Sequence, residues 1–236
     1  MKHVIGLSGG KDSTALALRL MEVEPQDYEF VCTPTGDELP EMEDHWQKLG
    51  EILGKPITRV DSGYTLATLV RKMKMLPNFR ARFCTRMLKI QPYEHWMHTR
   101  LPVTSYIGLR ADEEGRSGYE SVFPPDEFII RYPFREWDWG IGDVITYLKR
   151  RGVTVPPRTD CARCPLQTLG EWKSLFDNQP EIYEDACQDE DLIGHTYRSP
   201  SRDTWPAGLR QLAEEFKAGR VPKTRKRKTG CRACSL

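Results

Sequence analysis

The chain has 236 residues, of which 39% are hydrophobic, and its formal net charge is +1. This length suffices for one substantial core with an appendage, and the near-neutral charge gives no global field that would attract nucleic acid. No apolar run approaches the roughly 18 residues of a membrane span, and no signal peptide precedes the first predicted strand, so we expect a cytoplasmic protein without a membrane partner.

The first residues favour a tight turn between a strand and a helix. An apolar run spans residues 3–7, a glycine pair follows it, and an Ala/Leu pattern fills residues 14–21. The loop between them, called the glycine loop below, comprises Ser8, Gly9, Gly10, Lys11, Asp12 and Ser13. Because two glycines let the backbone turn with positive φ, successive N–H groups can face one concavity at the positive end of the helix, which predicts an anion site.

The polar side chains of the glycine loop suit a phosphate group. Lys11 adds a positive charge, the hydroxyls of Ser8 and Ser13 are donors, and Asp12 is a candidate ligand for Mg²⁺ held against the same phosphates. The spacing differs from the GxxxxGKS or GxxxxGKT of a Walker A loop, so hydrolysis of a γ-phosphate is not favoured. A glycine-rich turn without a ligand is the alternative interpretation.

The next segments alternate between strand and helix patterns. We predict a strand over residues 28–32, a helix ending near residue 53, a weaker strand over residues 57–60 and a helix over residues 64–75. This alternation predicts an α/β fold, a parallel sheet with helices on both faces. Ligands bind such sheets beyond the carboxyl ends of the strands, where the glycine loop and Asp37 lie. Asp37 and Glu41 are therefore candidates to contact Mg²⁺ or a ribose, with helix capping as the alternative.

Residues 71–89 are unusually basic. They contain seven cations and no acid: Arg71, Lys72, Lys74, Arg80, Arg82, Arg86 and Lys89. Such a run is typical of a solvated face, but its place between the glycine loop and the cysteines equally favours a surface for an anionic substrate. Together with the basic residues of 220–228, it is the candidate contact for nucleic acid.

The second half of the chain becomes helical. We predict a strand over residues 103–109, an extended segment over 129–133, and helices over 139–151, 169–178, 181–193 and 204–217. The patterns change from alternating strands and helices to helices alone. This change predicts a nucleotide-binding α/β domain over residues 1–154 and a small helical, cysteine-containing subdomain over 155–219. A basic cysteine-containing tail over 220–236 completes the chain.

Seven cysteines in a cytoplasmic chain are unlike a disulfide framework, because that compartment keeps thiols reduced. Cys161 with Cys164 and Cys231 with Cys234 form two CxxC pairs, which favour metal or redox chemistry. Cys32 and Cys187 lie in apolar or helical patterns and are predicted to be core residues.

Several of these motifs resemble one family. The SGGKDS of residues 8–13 resembles the pyrophosphate loop of the N-type ATP pyrophosphatases. The tract 82–92 resembles the Cys-Cys-x-x-Arg-Lys-x-x-Pro tract of iron-sulfur sulfonucleotide reductases, with Cys84 on the first cysteine and Thr85 on the second. With the later CxxC, the resemblance covers roughly residues 3–185. The chain is therefore identified as a member of the phosphoadenosine phosphosulfate reductase-like family, which implies an adenine nucleotide α-hydrolase fold.

The resemblance implies a metal centre with an incomplete ligand set. Cys84, Cys161 and Cys164 supply three thiolates to an iron-sulfur cluster that normally takes four, and Cys231 or Cys234 is the candidate for the fourth. A tetrathiolate Zn²⁺ site and unligated thiols are the alternatives.

The resemblance also implies an activity. The glycine loop is intact, whereas true sulfonucleotide reductases carry a degraded version, so the main hypothesis is an ATP pyrophosphatase that binds Mg-ATP and adenylates an acceptor, with sulfur transfer as a coupled step. Lys11 and Asp12 would act at the phosphates, and Arg110 and Arg116 would clamp the α-phosphate or the acceptor, with a solvated loop as their alternative.

Two other functions remain open. In a thiol-dependent sulfonucleotide reductase, Cys231 or Cys234 would attack the sulfonyl sulfur, and a thiol reductant would be the partner. In a non-catalytic nucleotide-binding module of a larger assembly, the basic tail would touch nucleic acid. The sequence is compatible with a sulfur donor as a further partner and with a homo-oligomer.

Overall fold

The computed structural model of the chain describes residues 1–116 and 123–223. Five strands of this part form one parallel sheet in the order β3-β2-β1-β4-β5. The strands are β1 (Lys2–Gly6), β2 (Tyr28–Cys32), β3 (Ile57–Arg59), β4 (Val103–Tyr106) and β5 (Phe128–Arg131). The first strand of the sequence is therefore the central strand of the sheet, and Ile5 pairs with Phe30 on one side and Tyr106 on the other.

Ten α-helices are assigned within the described residues. They are α1 (Lys11–Val23), α2 (Pro40–Leu53), α3 (Leu66–Met73), α4 (Phe83–Thr85), α5 (Gln91–His98), α6 (Pro133–Glu136), α7 (Ile141–Arg150), α8 (Leu169–Asn178), α9 (Pro180–Ile193) and α10 (Leu209–Lys217). A π-helical turn, Arg86–Ile90, joins α4 to α5. No helix among residues 1–116 and 123–223 is both long and apolar enough to cross a membrane.

The alternation of side chains along β1 places helices on both faces of the sheet. Ile5 belongs to the hydrophobic cluster that includes Leu16 of α1 and Val144 of α7. Val4 belongs to the cluster on the opposite face, which includes Met97 of α5. Successive strand residues point to opposite faces, so a strand apolar at consecutive positions is buried on both sides. The predicted parallel α/β architecture is confirmed.

The helices after residue 155 share a core with a helix of the first half. Leu69 and Val70 of α3 lie in one hydrophobic cluster with Trp172 of α8, Tyr183 of α9 and Phe216 of α10. All five side chains are buried. The predicted helical C-terminal region is present. The division at residue 155 remains a prediction, and residues 224–236 of the predicted tail lie outside the described part.

Several elements are shorter than the sequence patterns predicted. The helix expected over 204–217 begins only at Leu209, because Pro206 and Gly208 interrupt its first turn. The strand expected over 103–109 ends at Tyr106, and the extended segment expected over 129–133 ends at Arg131. The helix expected over 64–75 is α3, which begins after its Thr65 cap and ends where Lys74 adopts φ 49°.

A buried carboxylate joins the last two helices. Glu190 of α9 accepts the backbone N–H of Tyr197 through Oε1 at 2.8 Å and that of Leu209, the first residue of α10, through Oε2 at 2.6 Å. Burial raises the pKa of Glu190 to about 7, and the two backbone hydrogen bonds act in the opposite direction. The folded protein therefore holds a proton on this group at pH values where the unfolded chain has lost it.

This shift predicts a pH-dependent stability. The folded-state pKa lies above the ordinary 4.5, so the contribution of Glu190 is complete below about pH 4.5 and is lost as the pH rises through about 7. Across this window we expect the free energy of unfolding of the wild type to fall, relative to Glu190→Gln, by as much as about 3 kcal/mol. Urea unfolding at closely spaced pH values measures this fall in the free energy of unfolding. Glu181→Gln, an exposed position on the same helix, is the control; parallel curves for wild type and Glu190→Gln would contradict the assignment.

Candidate functional site

The glycine loop lies at the carboxyl end of the central strand, as the sequence predicted. Gly9 adopts φ +78°, and Gly10 is the extended residue that precedes α1. Ser8 and Ser13 approach each other across the loop, with 3.1 Å between their Oγ atoms, and the Ser13 hydroxyl also bonds the carbonyl of Gly10 at 3.1 Å. The turn thus brings two hydroxyls and the N-terminus of a 13-residue helix to one place.

Helix α2 supports the loop from behind. The indole Nε1–H of Trp46 donates to the carbonyl of Ser8 at 3.2 Å, and Nε2 of His45 lies 3.0 Å from the carbonyl of Gly9. Burial lowers the pKa of His45, which favours a neutral ring donating from Nε2. A Cβ on Gly9 would lie 2.7 Å from Trp46 Nε1 and 2.9 Å from Met42 Cε. The sequence analysis did not predict these supporting side chains of α2. The signal that could have predicted them is that residues 42, 45 and 46 lie on one face of the helix.

Arg110 reaches the glycine loop from the segment after β4. Its side chain is 1% exposed and donates from Nη1 to Asp12 Oδ2 and from Nε to Asp112 Oδ1, both at 2.8 Å. Burial opposes the charge, but the neighbouring carboxylates, Asp12 first, raise the pKa of Arg110. Asp12 and Arg110 are therefore in contact with each other, and their predicted roles at the phosphates remain predictions. Arg110 is bound to Asp12, so an anion would meet it only if that ion pair rearranged.

The carboxylate of Asp12 has one oxygen left for a cation. Its Oδ2 bonds Arg110 and lies 3.6 Å from Lys11 Nζ. Its Oδ1 is buried and has no hydrogen-bond partner among the residues that the structure describes. Mg²⁺ is commonly held by one or two carboxylates with substrate phosphates supplying other ligands. This arrangement fits Mg²⁺ only together with a phosphate ligand, and the role of Asp12 remains a prediction.

Two other residues predicted to contact the nucleotide, Arg116 and Asp37, form ion pairs within the protein. Arg116 donates from Nη1 to Glu113 Oε1 at 2.8 Å. Asp37 receives both Nε and Nη2 of Arg163 and is buried. Neither contact points to the glycine loop, so the nucleotide-binding roles of Arg116 and Asp37 remain predictions.

One pocket, called the central pocket below, connects the glycine loop to a cysteine. Its lining residues come from the ends of β1 and β2, from α2, from the π-helical turn and α5, and from the CxxC segment: Gly6, Leu7, Ser8, Val31, Cys32, Thr33, Glu38, Trp46, Lys89, Tyr93, Thr159 and Cys161. Ser8 and Cys161 thus face the same space, and Lys89 adds a cation to it. The sequence placed these residues in separate motifs without showing that they meet.

The cysteines of the predicted metal centre fall in one region. Cys161 and Cys164 are buried in the cluster that α3 shares with the last three helices, and half-buried Cys84 packs against that cluster. The hydroxyl of Thr35 bonds Cys161 Sγ at 3.3 Å. Within residues 1–116 and 123–223, however, no three His, Cys, Asp or Glu side chains gather closely enough to hold a metal ion.

The described residues alone therefore do not form a cluster site. Cys231 and Cys234 lie outside them, and both the iron-sulfur and the zinc assignments remain predictions. Cys32 and Cys187 are core residues, as predicted. Burial raises the pKa of each thiol to about 12, which keeps both unreactive near neutral pH.

The basic stretch divides between structural and exposed positions. Arg71 donates from Nε to Asp189 at 3.1 Å, and Lys72 covers the ring of Tyr64. Phe79 is exposed, with Arg80 over its ring, while Lys89 lines the central pocket. The stretch is therefore only partly a solvated face, and a contact with nucleic acid remains a prediction.

Comparison with known proteins identifies the family. The family model of the phosphoadenosine phosphosulfate reductase domain matches residues 2–175, so the chain belongs to this family, as its motifs predicted. The fold is similar to the crystal structure of phosphoadenylyl-sulfate (PAPS) reductase from Candida auris in a phosphate complex, with a TM-score of 0.50 and 14% identity over 66% of this chain and 75% of that one. No curated protein matches the sequence significantly.

The contact behind Gly9 predicts an asymmetric effect of two similar substitutions. Gly63 has nearly the same φ, +77°, but open space where a Cβ would lie, whereas Gly9 has both the positive φ and the overlap with Trp46. We expect Gly63→Ala to lower the free energy of unfolding by about 1 kcal/mol and Gly9→Ala to lower it by about 3 kcal/mol. Only Gly9→Ala should also weaken phosphate binding. Urea unfolding and phosphate titration measure both. Equal losses in the free energy of unfolding at the two positions would contradict a destabilising overlap between a Cβ at position 9 and Trp46.

Proposed function

We propose that the protein is a sulfonucleotide reductase that binds the nucleotide phosphates at the glycine loop and reduces the sulfonyl group with thiols. The observation that carries this proposal is the glycine loop, where the N-terminus of α1 and the Ser8 and Ser13 hydroxyls come together. The small central pocket beside the loop joins Ser8 to Lys89 and Cys161. Membership of the phosphoadenosine phosphosulfate reductase domain family supports the same chemistry. The fold neighbour from Candida auris is a PAPS reductase, with which this chain would share its substrate class.

Binding would rest on the glycine loop. The backbone N–H groups at the start of α1, the Ser8 and Ser13 hydroxyls and the Lys11 ammonium group would take the phosphate oxygens. Lys89 would supply a second positive charge from another wall of the pocket. Because the leaving group is itself a phosphate, the same cations would stabilise the charge that develops on it during the reaction.

The reduction needs two thiols and no other electron source. A cysteine thiolate attacks the sulfonyl sulfur, and the sulfur–oxygen bond to the phosphate breaks with its electron pair going to the nucleotide. A second thiol then attacks the cysteine sulfur, forms a disulfide and releases sulfite. We assign the first attack to Cys231 or Cys234, which the sequence places in the second CxxC pair, and the second thiol to a dithiol reductant.

A second candidate function is favoured by the intact glycine loop. If the loop binds Mg-ATP, an acceptor oxygen would attack the α-phosphorus and pyrophosphate would leave. Asp12, whose Oδ1 has no hydrogen-bond partner among the described residues, would be the carboxylate that holds Mg²⁺, and the ion would offset the charge of the phosphates. This is the ATP pyrophosphatase activity that the sequence favoured. Its product would be AMP attached to an acceptor, or free AMP where water is the acceptor.

Product analysis separates the two functions. We expect PAPS with a dithiol to yield sulfite and adenosine 3′,5′-bisphosphate, and Lys11→Ala to weaken nucleotide binding by about 10- to 150-fold, since a charge-assisted contact contributes about 1.5–3 kcal/mol. Isothermal titration and sulfite assays measure these effects. Lys149→Ala on the exposed face of α7 is the control and should change neither. AMP and pyrophosphate from ATP, without sulfite from PAPS, would replace the reductase with the second candidate.

A further inference from the structure

An arginine inside the first CxxC pair binds the turn to the segment after β2. Arg163 is buried, and its Nε donates to Asp37 Oδ1 at 2.9 Å and Oδ2 at 3.0 Å, while Nη2 also bonds Oδ1. Its backbone N–H lies 3.3 Å from Oδ2, and the backbone N–H of Ala162 donates to the carbonyl of Asp37 at 2.6 Å. Both the main chain and the side chain of the turn are therefore bound to one aspartate.

The other end of the guanidinium reaches the C-terminal helices. Nη1 of Arg163 donates to Asp189 Oδ2 of α9 at 2.9 Å, and Asp189 is fully buried. Asp189 also receives Arg71 Nε at 3.1 Å. Two buried carboxylates from separate parts of the chain thus share one arginine, whose forked geometry can satisfy both at once.

The same turn presents a sulfur atom to the central pocket. Cys164 N–H bonds the carbonyl of Cys161 at 3.1 Å, and Cys161 lines the pocket together with Ser8. The hydroxyl of Thr35, two residues before Asp37, bonds Cys161 Sγ at 3.3 Å. Because residues 35–37 contact both Cys161 and Arg163, the position of the sulfur relative to the glycine loop depends on the ion pair between Asp37 and Arg163.

We propose that Arg163 is a positioning residue, whose ion pair with Asp37 fixes the Cys161 sulfur at the wall of the central pocket, beside the glycine loop. The inference rests on the proposed function in one respect, that a nucleotide binds at the glycine loop, whose Ser8 lines the central pocket together with Cys161. A bound nucleotide would then shield Cys161, and a change at Arg163 would alter this shielding while leaving the phosphate contacts of the glycine loop intact. A purely structural ion pair would change stability alone.

The variant Arg163→Lys keeps the positive charge but loses the fork that bonds both carboxylates. Arg198→Lys is the matched control, since Arg198 is equally buried and bonds both oxygens of Asp203, at 2.8 and 2.9 Å, outside the central pocket. Adenosine 3′,5′-bisphosphate is the probe. Calorimetry gives its affinity, and peptide mass analysis gives the rate at which iodoacetamide alkylates Cys161 with and without it.

In the wild type and in Arg198→Lys we expect the nucleotide to slow alkylation of Cys161 by about tenfold or more. In Arg163→Lys we expect most of this protection to be lost, with nucleotide affinity unchanged. Nucleotide binding that leaves Cys161 unprotected in the wild type would overturn the inference, as would equal effects of the two lysine variants. Absence of any nucleotide binding would instead overturn the proposed function on which it rests.

Discussion

The passage from β1 into α1 is the constraint on which the rest of the structure depends. The central strand ends at Gly6 and the helix starts at Lys11, so four residues must reverse the chain over the edge of the sheet. Only a residue that tolerates φ +78° without a side chain fits at Gly9, because the indole and thioether of α2 occupy the space behind it. On the loop itself, the N-terminus of α1 and the hydroxyls of Ser8 and Ser13 converge.

A second, longer-range constraint joins the helical region to this edge. The Asp37 and Asp189 carboxylates and the Arg163 guanidinium are all buried, so none of them is solvated by bulk water. Removing charges from water costs several kcal/mol per ion, which mutual attraction offsets only when the geometry is good, and removal of one partner typically costs about 3–5 kcal/mol. Such a set of buried, paired charges adds little to the net free energy of unfolding. It does require the CxxC turn to dock in one arrangement, which hydrophobic contacts alone would not specify.

The local parts of the structure were predictable and the long-range parts were not. The sheet and the glycine loop follow from patterns within about ten residues, and they lie where the sequence placed them. The partner of Asp37 lies 126 residues away. From the sequence alone, an acidic residue after a strand could therefore be interpreted only as a helix cap, a magnesium ligand or a ribose contact. Arg110 was predicted to face a phosphate, yet it is bound to Asp12, because one sequence does not show which carboxylate a buried guanidinium meets.

The shared core of α3 and the last three helices has a consequence for the synthesis of the chain. The apolar face of α3, formed by Leu66, Leu69 and Val70, is covered by residues that end with Phe216, so about 150 residues must emerge from the ribosome before that face is sealed. Until then the nascent protein carries a sheet with its glycine loop beside an uncovered hydrophobic surface. Contacts that span so much of the chain form late and leave such intermediates prone to aggregation. Chaperone engagement during translation is therefore expected to centre on α3.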